Sequence, residues 1–419
     1  MKFVLFRKLA LFTGDIIILY LSLSIMLILG FGSGLNVEII HQHVIPFSIL
    51  YLFWIIIFIF FGLYDLRLLK KNSYLISRLT LSLLVSGLIS VLFFYLFPSI
   101  TPKTNLAIYL GLLWLFLVMY RKVFMLISSS YFKSSISINN NDDQANELKK
   151  FINDNPQLGF SMKENDSDIT VTQGLSNYKD ILGSSDILNI TQAYELILKR
   201  IPVNSINQDW ILSNVVKKEL YDKSKRLMDV ILAFIILLIT FPLIIIAGIL
   251  IKIGDGGPMF YIEERVGQKF KKIWVIKLRT MREGQNGTPW TQGSKDPRIT
   301  SIGKILRLTH IDELPQLINI LKGDLSLIGP RAESINTVKF LEKEIPYYHL
   351  RHFIKPGCTG WAQLDSAHQS NVGEMYDIKD KIKYDFRKVE YDLYYIKNRS
   401  LALDAIILLK SLKLFMNNS

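Results

Sequence analysis

The sequence predicts a membrane α-helical N-terminal four-helix block, then a small soluble α/β domain, then a re-entrant membrane helix leading into a mainly α-helical (α+β) cytoplasmic domain. Three observations carry that prediction. Four apolar runs of about 20 residues fill the first third of the chain, each long enough to cross a bilayer. A polar stretch of mixed periodicity follows, and a fifth apolar run holds a proline near its middle. Half of the 419 residues are hydrophobic and 20% are charged. The mean hydropathy is +0.28, greasier than an ordinary soluble protein. The formal net charge of +13 suits positive cytoplasmic loops, anionic membrane lipids and anionic substrates. No nucleic-acid recognition motif accompanies it, so no nucleic acid is expected as a partner. The single cysteine, Cys358, rules out an internal disulfide.

The four runs cover about 10–31, 44–63, 79–97 and 106–127, within an expected membrane domain of residues 1–130. No small-residue cleavage site follows the first, so it is not read as a signal peptide. Lys2, Arg7 and Lys8 precede it. The loop around Val37 to His43 has no Lys or Arg, the next carries Arg67, Lys70, Lys71 and Arg78, and the third only Lys103. Arg121, Lys122 and Lys133 follow or end the fourth run. This asymmetry puts both ends of the block on the cytoplasmic side. The apolar cores are read as uncharged, which argues against a transport pathway through them and for an anchor.

Residues 131–215 are expected to form the small α/β domain, degenerate and Rossmann-like. Ser135 to Ile138 reads as a strand, Gln144 to Ile152 as a helix, Ser161 to Thr172 as strand-like and Gln192 to Arg200 as helical. Asn139, Asn140 and Asn141 stand where a dinucleotide fold needs its Gly-rich turn, so no nucleotide is expected there.

The fifth run, Leu227 to Ile251, lies in the expected membrane segment 216–253 and is flanked by Lys225, Arg226 and Lys252. Pro242 removes one helix hydrogen bond and crowds the preceding turn. Crossing the bilayer would place everything after it outside. A helix broken at Pro242 that dips into one leaflet and returns is therefore expected, with Thr240 as a local hydroxyl partner.

Residues 254–419 are polar and mixed. Val275 to Arg279 is a candidate strand; Asp312 to Leu321 and Lys381 to Tyr395 are candidate amphipathic helices. Leu401 to Phe415 fits either a helix on the membrane surface or core packing. The chemistry concentrates between Asp296 and Arg331. Adjacent Asp312 and Glu313 open a helix, and Arg298, Lys304, Arg307, Lys322 and Arg331 surround them in sequence. Acids among phosphate-competent cations suit phosphoryl chemistry, because a diphosphate must be neutralised before an anionic nucleophile approaches. One carboxylate would attack phosphorus while its neighbour holds Mg²⁺. Taken alone, the dipeptide also fits a plain helix start, since acids favour helix N-termini. The six histidines show no ligand spacing, and Cys358 reads as packing.

These residues carry a resemblance. From about Lys225 the chain resembles the bacterial sugar transferases, the monotopic polyprenyl-phosphate glycosyl-1-phosphate transferases. The matching runs are K-R-L-M-D (Lys225 to Asp229), G-P-M-F-Y (Gly257 to Tyr261), E-R-V-G (Glu264 to Gly267) and K-L-R-T-M (Lys277 to Met281). I-D-E-L-P-Q (Ile311 to Gln316), L-K-G-D-L-S-L-I-G-P-R (Leu321 to Arg331), K-P-G-C-T-G-W-A-Q (Lys355 to Gln363) and Y-D-L-Y-Y-I-K-N (Tyr391 to Asn398) continue the series. The N-terminal half resembles the larger members in architecture. The resemblance implies that Asp312 is the nucleophile toward a UDP-sugar, that UMP leaves, and that undecaprenyl phosphate takes the sugar-phosphate from the enzyme. It implies Mg²⁺ at Glu313 and phosphate contacts from Arg307, Lys277, Arg279 and Arg331. Asp392, Arg298 and Lys304 are further possible site residues, Asp392 with no assigned role. The product would initiate a surface polysaccharide at the bacterial inner membrane, and a homodimer is implied by association among larger members. A catalytically idle scaffold for polysaccharide-assembly partners is the alternative. Phe241 stands where Ser precedes the family's proline, Cys358 stands where an aliphatic residue is common, and Asp365 to Asp385 is longer than in minimal members.

Overall fold

The computed structural model describes residues 2–64, 72–97, 103–130, 134–138, 142–163, 167–172, 186–215, 218–282, 296–364 and 378–417. Arg67, Lys70, Lys71, Lys133, Asn139 to Asn141, His368 and residues 365–377 of the long stretch lie outside them. The chain divides into two compact units, Met1–Leu196 and Ile197–Ser419.

In the first unit, α1 (Lys2–Phe31), α2 (Val37–Phe60), α3 (Asn72–Leu96) and α4 (Lys103–Ser130) are apolar over most of their length. Each contains a segment long and apolar enough to cross a membrane. They pack around buried Leu19, Phe47, Trp54 and Tyr109. Hydrogen bonds cross between the helices inside: Trp54 Nε1 donates to Ser90 Oγ at 3.1 Å, and the Tyr109 hydroxyl donates to that of Tyr51 at 3.0 Å. The reading of uncharged apolar runs is corrected here. Asp15, inside the first run, is fully buried and lies 2.6 Å from Arg121 Nη2 near the end of α4. Arg121 also donates to the Leu63 carbonyl at 2.9 Å and lies over the Tyr64 ring. A single carboxylate hardly changes the average over a twenty-residue window, which is why the run looks uncharged.

The same unit holds a four-stranded all-parallel sheet of order β2-β1-β3-β4, from β1 (Ser134–Ile138), β2 (Phe160–Met162), β3 (Ile169–Thr172) and β4 (Asp186–Asn189). Helix α5 (Asp143–Asp154), capped by the Asp142 side chain, links β1 to β2, and α6 (Ile190–Ile197) follows β4. The strands that hydropathy merged into one stretch, 161–172, are two.

The second unit opens with residues that sequence pattern had grouped with the small domain. Ile201, Val203 and Ile206 pack with Val338, Leu341, Val389 and Leu393, and α7 (Gln208–Asn214) follows. Helix α8 (Glu219–Asp255) contains the fifth apolar run and is continuous. The break expected at Pro242 is not a break in helical conformation. The neighbouring hydroxyl of Thr240 bonds back to the Ile236 carbonyl at 2.8 Å, one turn before Thr240, and so does not serve the Leu238 carbonyl that Pro242 leaves open. After it come the antiparallel hairpin β5 (Phe260–Val266) and β6 (Lys272–Leu278), then α9 (Ser301–Leu308) and α10 (Gln316–Lys322). β7 (Ser326–Ile328), α11 (Ile335–Glu344) and β8 (Gly357–Thr359) come next; β7 pairs with β8 in parallel. Helices α12 (Ile378–Asn398) and α13 (Leu401–Asn417) close the unit. On α13, Ile407 is fully buried while Leu401 and Ile406 are exposed, so that helix serves the core on one face.

The K-R-L-M-D run fastens α8 to this unit. Arg226 donates to the Ile320 and Leu321 carbonyls at the end of α10, at 2.6 and 2.8 Å. Asp229 accepts from Ser326 Oγ at 2.7 Å, and Lys225 lies 3.2 Å from buried Asp404. Basic groups at a helix C-terminus satisfy its open carbonyls.

Candidate active site

Helix α9 starts at a side-chain cap, Thr300 Oγ1 accepting from the Gly303 amide at 2.9 Å. It is amphipathic and stops at Leu308, after which His310 adopts a left-handed conformation (φ 54°). That residue turns the chain into a single 3-10 turn, Ile311–Glu313, before Pro315 caps α10. The expected helix from Asp312 to Leu321 is therefore a turn followed by a helix. Ile311 and Leu314 flank the acids and pack against the apolar cluster of Ile244, Leu278 and Leu306. Burying the two apolar neighbours leaves Asp312 and Glu313 to the polar side of the turn.

Three other segments bring cations to that side. On β6, side chains alternate, so Lys277 shares a face with buried Val275 and Ile273. Its Nζ lies 3.9 Å from Glu313 Oε1. The strand is pinned to α10 by Asn319, which accepts from the Ile276 amide at 3.0 Å and donates to the Trp274 carbonyl at 2.6 Å. Arg331 follows β7 through the G-P-R turn, and its Nη2 donates to Glu313 Oε1 at 3.0 Å. That turn depends on two glycines: a Cβ on Gly357 would lie 2.1 Å from the Gly329 amide nitrogen, and one on Gly329 would lie 2.4 Å from the Lys355 carbonyl oxygen. The G-P-R and P-G-C-T-G motifs are thus two sides of one close backbone crossing. Arg307, at the end of α9, donates to Thr280 Oγ1 at 2.9 Å and contributes a nearby positive charge to Asp312.

The two carboxyls respond in opposite directions. Burial pushes Asp312 up to about 6, adjacent Glu313 adds to that, and Lys277 and Arg307 oppose it. Burial also acts to raise Glu313, but Arg331 and Lys277 outweigh it and hold the carboxyl at about 2. Burial lowers the Lys277 ammonium from its ordinary value, with Glu313 opposing. Paired acids driven apart in this way are a mark of functional sites. Among the described residues no group of three or more His, Cys, Asp or Glu gathers. The pair nevertheless suits Mg²⁺, which is commonly held by one or two carboxylates together with substrate phosphates. A small cavity beside Glu313 is lined by Arg265, Val275, Lys277, Gln316, Arg331 and Gly357.

Of the sequence-predicted site residues, the structure brings together Asp312, Glu313, Lys277, Arg331 and Arg307. The other predicted residues have the following surroundings. Arg279 is buried with its guanidinium against Gly257, where an added Cβ would lie 1.8 Å from Nη1. Arg298 folds back on Asp296 at 2.7 Å. Lys304 is on the exposed face of α9. Asp392 pairs with Arg351 at 2.9 Å. Cys358 lies 3.5 Å from Gln316 Oε1, and burial pushes its thiol up to about 12, as expected of a packing residue. Asn319, Arg351 and Asp229 were missed as supports; Asn319 stands three residues after Gln316, the spacing that keeps it on the same helix face.

A model of the bacterial sugar transferase family matches residues 220–418. Over 229 residues the chain is 35% identical to a UDP-N-acetylgalactosamine-undecaprenyl-phosphate N-acetylgalactosaminephosphotransferase of Aeromonas hydrophila, covering 54% of this chain and 51% of that protein. Over 197 residues it is 38% identical to a UDP-glucose:undecaprenyl-phosphate glucose-1-phosphate transferase of Escherichia coli (strain K12), covering 46% and 41%. It is 36% identical over 190 residues to exopolysaccharide production protein PSS of Rhizobium leguminosarum bv. phaseoli, covering 44% of this chain and 90% of that one. The match thus spans about half the length of the first two of these curated relatives.

Proposed function

The chain belongs to the bacterial sugar transferase family, and on that premise we propose that it transfers a sugar-1-phosphate from a UDP-sugar to undecaprenyl phosphate. UMP is the co-product, and the lipid-linked sugar initiates a surface polysaccharide. The observation that carries the reading is the Asp312–Glu313 pair on one turn with Lys277, Arg307 and Arg331 converging on it. The relatives named for UDP-sugar and undecaprenyl-phosphate transfer support it.

In this reading an Asp312 oxygen attacks the sugar-linked phosphorus. The bond from that phosphorus to the UMP oxygen breaks, and UMP departs with both electrons. Ionised at neutral pH with its carboxyl at about 6, Asp312 needs no base to release it. The phosphate oxygen of the lipid then attacks the aspartyl phosphate and restores the carboxylate. Arg307 and Lys277 offset charge around the phosphorus. Glu313, kept ionised and oriented by Arg331 and Lys277, would hold Mg²⁺. The metal supplies charge neutralisation and orientation of the phosphate oxygens.

The protein is a membrane protein, with five helices long and apolar enough to cross a bilayer. We place the second unit on the cytoplasmic face of the inner membrane, where nucleotide-sugars are made, with α1 to α4 as a spanning anchor. We read α8 as inserting in one leaflet with both ends on the same side, the helix turning at Pro242 without leaving helical conformation. Residues from Arg226 to Ile251 rest on the same polar unit: Ala233 packs with Ile320 and Leu327, and Ile251 with Leu278 and Leu306. Leu227, Ile231, Phe234, Leu238, Ile245 and Ile249 stay exposed along the helix. A helix attached to one polar unit at both ends suits partial insertion better than a crossing. A homodimer completes the proposal, by analogy with larger relatives.

The test is UMP release from a panel of UDP-sugars with undecaprenyl phosphate and Mg²⁺ in native-like discs. One sugar is expected to release UMP, and EDTA or Asp312→Asn to abolish the release, on the order of 10³-fold or more. Undiminished turnover by Asp312→Asn would remove it as the nucleophile. A folded protein that acts on no sugar in the panel would favour the scaffold alternative.

A further inference from the structure

Asp392 sits in the Y-D-L-Y-Y-I-K-N run on α12, and its partner is Arg351, a residue in a 3-10 segment (Tyr348–Phe353). Arg351 is 2% exposed. One nitrogen, Nη2, lies 2.9 Å from Asp392 Oδ2 and donates to the backbone carbonyl of Arg331 at 3.2 Å. The other, Nη1, donates to the Tyr348 hydroxyl at 2.6 Å and lies 3.9 Å from Glu333 Oε1. Lys388, one turn before Asp392 on α12, pairs with the same Glu333 oxygen. The Arg331 carbonyl is therefore held by Arg351, which α12 backs through Asp392, and the Glu333 carboxylate is held by Lys388 of α12 itself. The Arg331 guanidinium is the one bonded to Glu313.

We infer that Arg351, ordered by Asp392, is a positioning residue for phosphoryl transfer: it fixes the Arg331 carbonyl and thereby aims the Arg331 guanidinium at Glu313. The inference rests on the transferase reading for its effect on rate, and on geometry alone for its effect on the Arg331 segment. A planar guanidinium suits the task, because two of its nitrogens meet several acceptors in fixed directions, which an ammonium cannot reproduce. Removing either partner leaves a buried charge uncompensated, so the segment would shift rather than keep its place. A displacement of about 1 Å at a catalytic group costs on the order of 100-fold in rate.

The experiment compares wild type, Arg351→Gln, Arg351→Lys and Asp392→Asn, each also in an Arg331→Gln background. UMP release and backbone hydrogen exchange are both read. In the wild-type background each substitution is expected to lower kcat by about 100-fold, with a smaller change in KM for the UDP-sugar. In the Arg331→Gln background the same substitutions should cost less than about threefold, since the group they position is gone. Exchange should accelerate in the peptide covering Gly329 to Ser334 and stay unchanged in α10. Equal losses in both backgrounds, or unchanged exchange at Gly329 to Ser334, would overturn the inference. So would acceleration across the whole unit, which marks general unfolding. If Arg351→Gln does not fold, Arg351→Lys decides, because it keeps the charge opposite Asp392: wild-type activity there refutes the role, and a loss confined to the Arg331 background supports it. If wild type releases no UMP, the transferase reading fails, and the exchange arm still decides whether Arg351 holds the segment.

Discussion

Glu313 and Asp312 are neighbours in sequence and in space, and their surroundings give them different work. Arg331 and Lys277 both address one oxygen of Glu313, and Asp312 keeps the higher affinity for a proton. Replacing Arg331 by Lys keeps the charge and loses the directed N–H fork. The expected cost is about 10- to 100-fold in kcat/KM for UMP release, measured at saturating Mg²⁺. A second residue-scale outcome concerns acid stability. Burial acts to raise the Glu333 carboxyl, but Lys388 and Arg351 outweigh it and hold it well below its ordinary value. A depressed carboxyl contributes stability that is complete above the unfolded value, about 4.5, and is lost as pH falls below it. Thermal melting in detergent should therefore drop between pH 5 and 3, by roughly 2 kcal/mol from this group. Glu333→Gln should melt lower at pH 7 and show a flatter fall; a wild-type curve without that fall would contradict the assignment.

At the scale of elements, sequence and structure part company for physical reasons. The I-D-E-L-P-Q run reads as one helix because its propensities are helical, but it is a turn plus a helix. The positive φ of His310, which no propensity of His announces, sets the turn off from α9, and the helix starts only after Pro315. The resemblance put both Lys277 and Arg279 among the phosphate contacts. The strand ends at Leu278, and the Arg279 guanidinium lies against Gly257. Asp15 was hidden by averaging, and its partner Arg121 lies 106 positions away, a pairing only the fold supplies. The acids, Arg331 and Arg307 were legible because phosphate chemistry demands those residue types, and Lys277 only through the resemblance; the supports Asn319 and Arg351 were not, because a backbone contact leaves no mark on composition. The β7–β8 crossing gives a direct outcome. Gly357→Ala would press a methyl into the Gly329 amide, and should destabilise the second unit by about 3 kcal/mol in a denaturant melt. Its UMP release should fall with the folded fraction and with the displaced Arg331.

At the scale of the molecule, every residue gathered at the site belongs to Ile197–Ser419. The family match begins at residue 220, and the Rhizobium relative is nearly covered by 190 matched residues. A protein beginning near residue 197 is therefore expected to retain UMP release within about tenfold of the full chain, assayed in the same discs. Loss of all activity with normal melting would assign the first unit a part in catalysis.

The crossing of the two glycine motifs has a genetic consequence. Gly329 and Gly357 stand 28 positions apart, yet each occupies the room a side chain on the other would need. In a selection among randomised variants, the two positions would not vary independently. A substitution at one would survive only with a compensating change in the local backbone, so survivors should be nearly empty of single changes at either codon. Arg331 is in this sense inherited together with the loop it leans on, and recombination between homologous genes is best tolerated when its breakpoint falls outside residues 329–357.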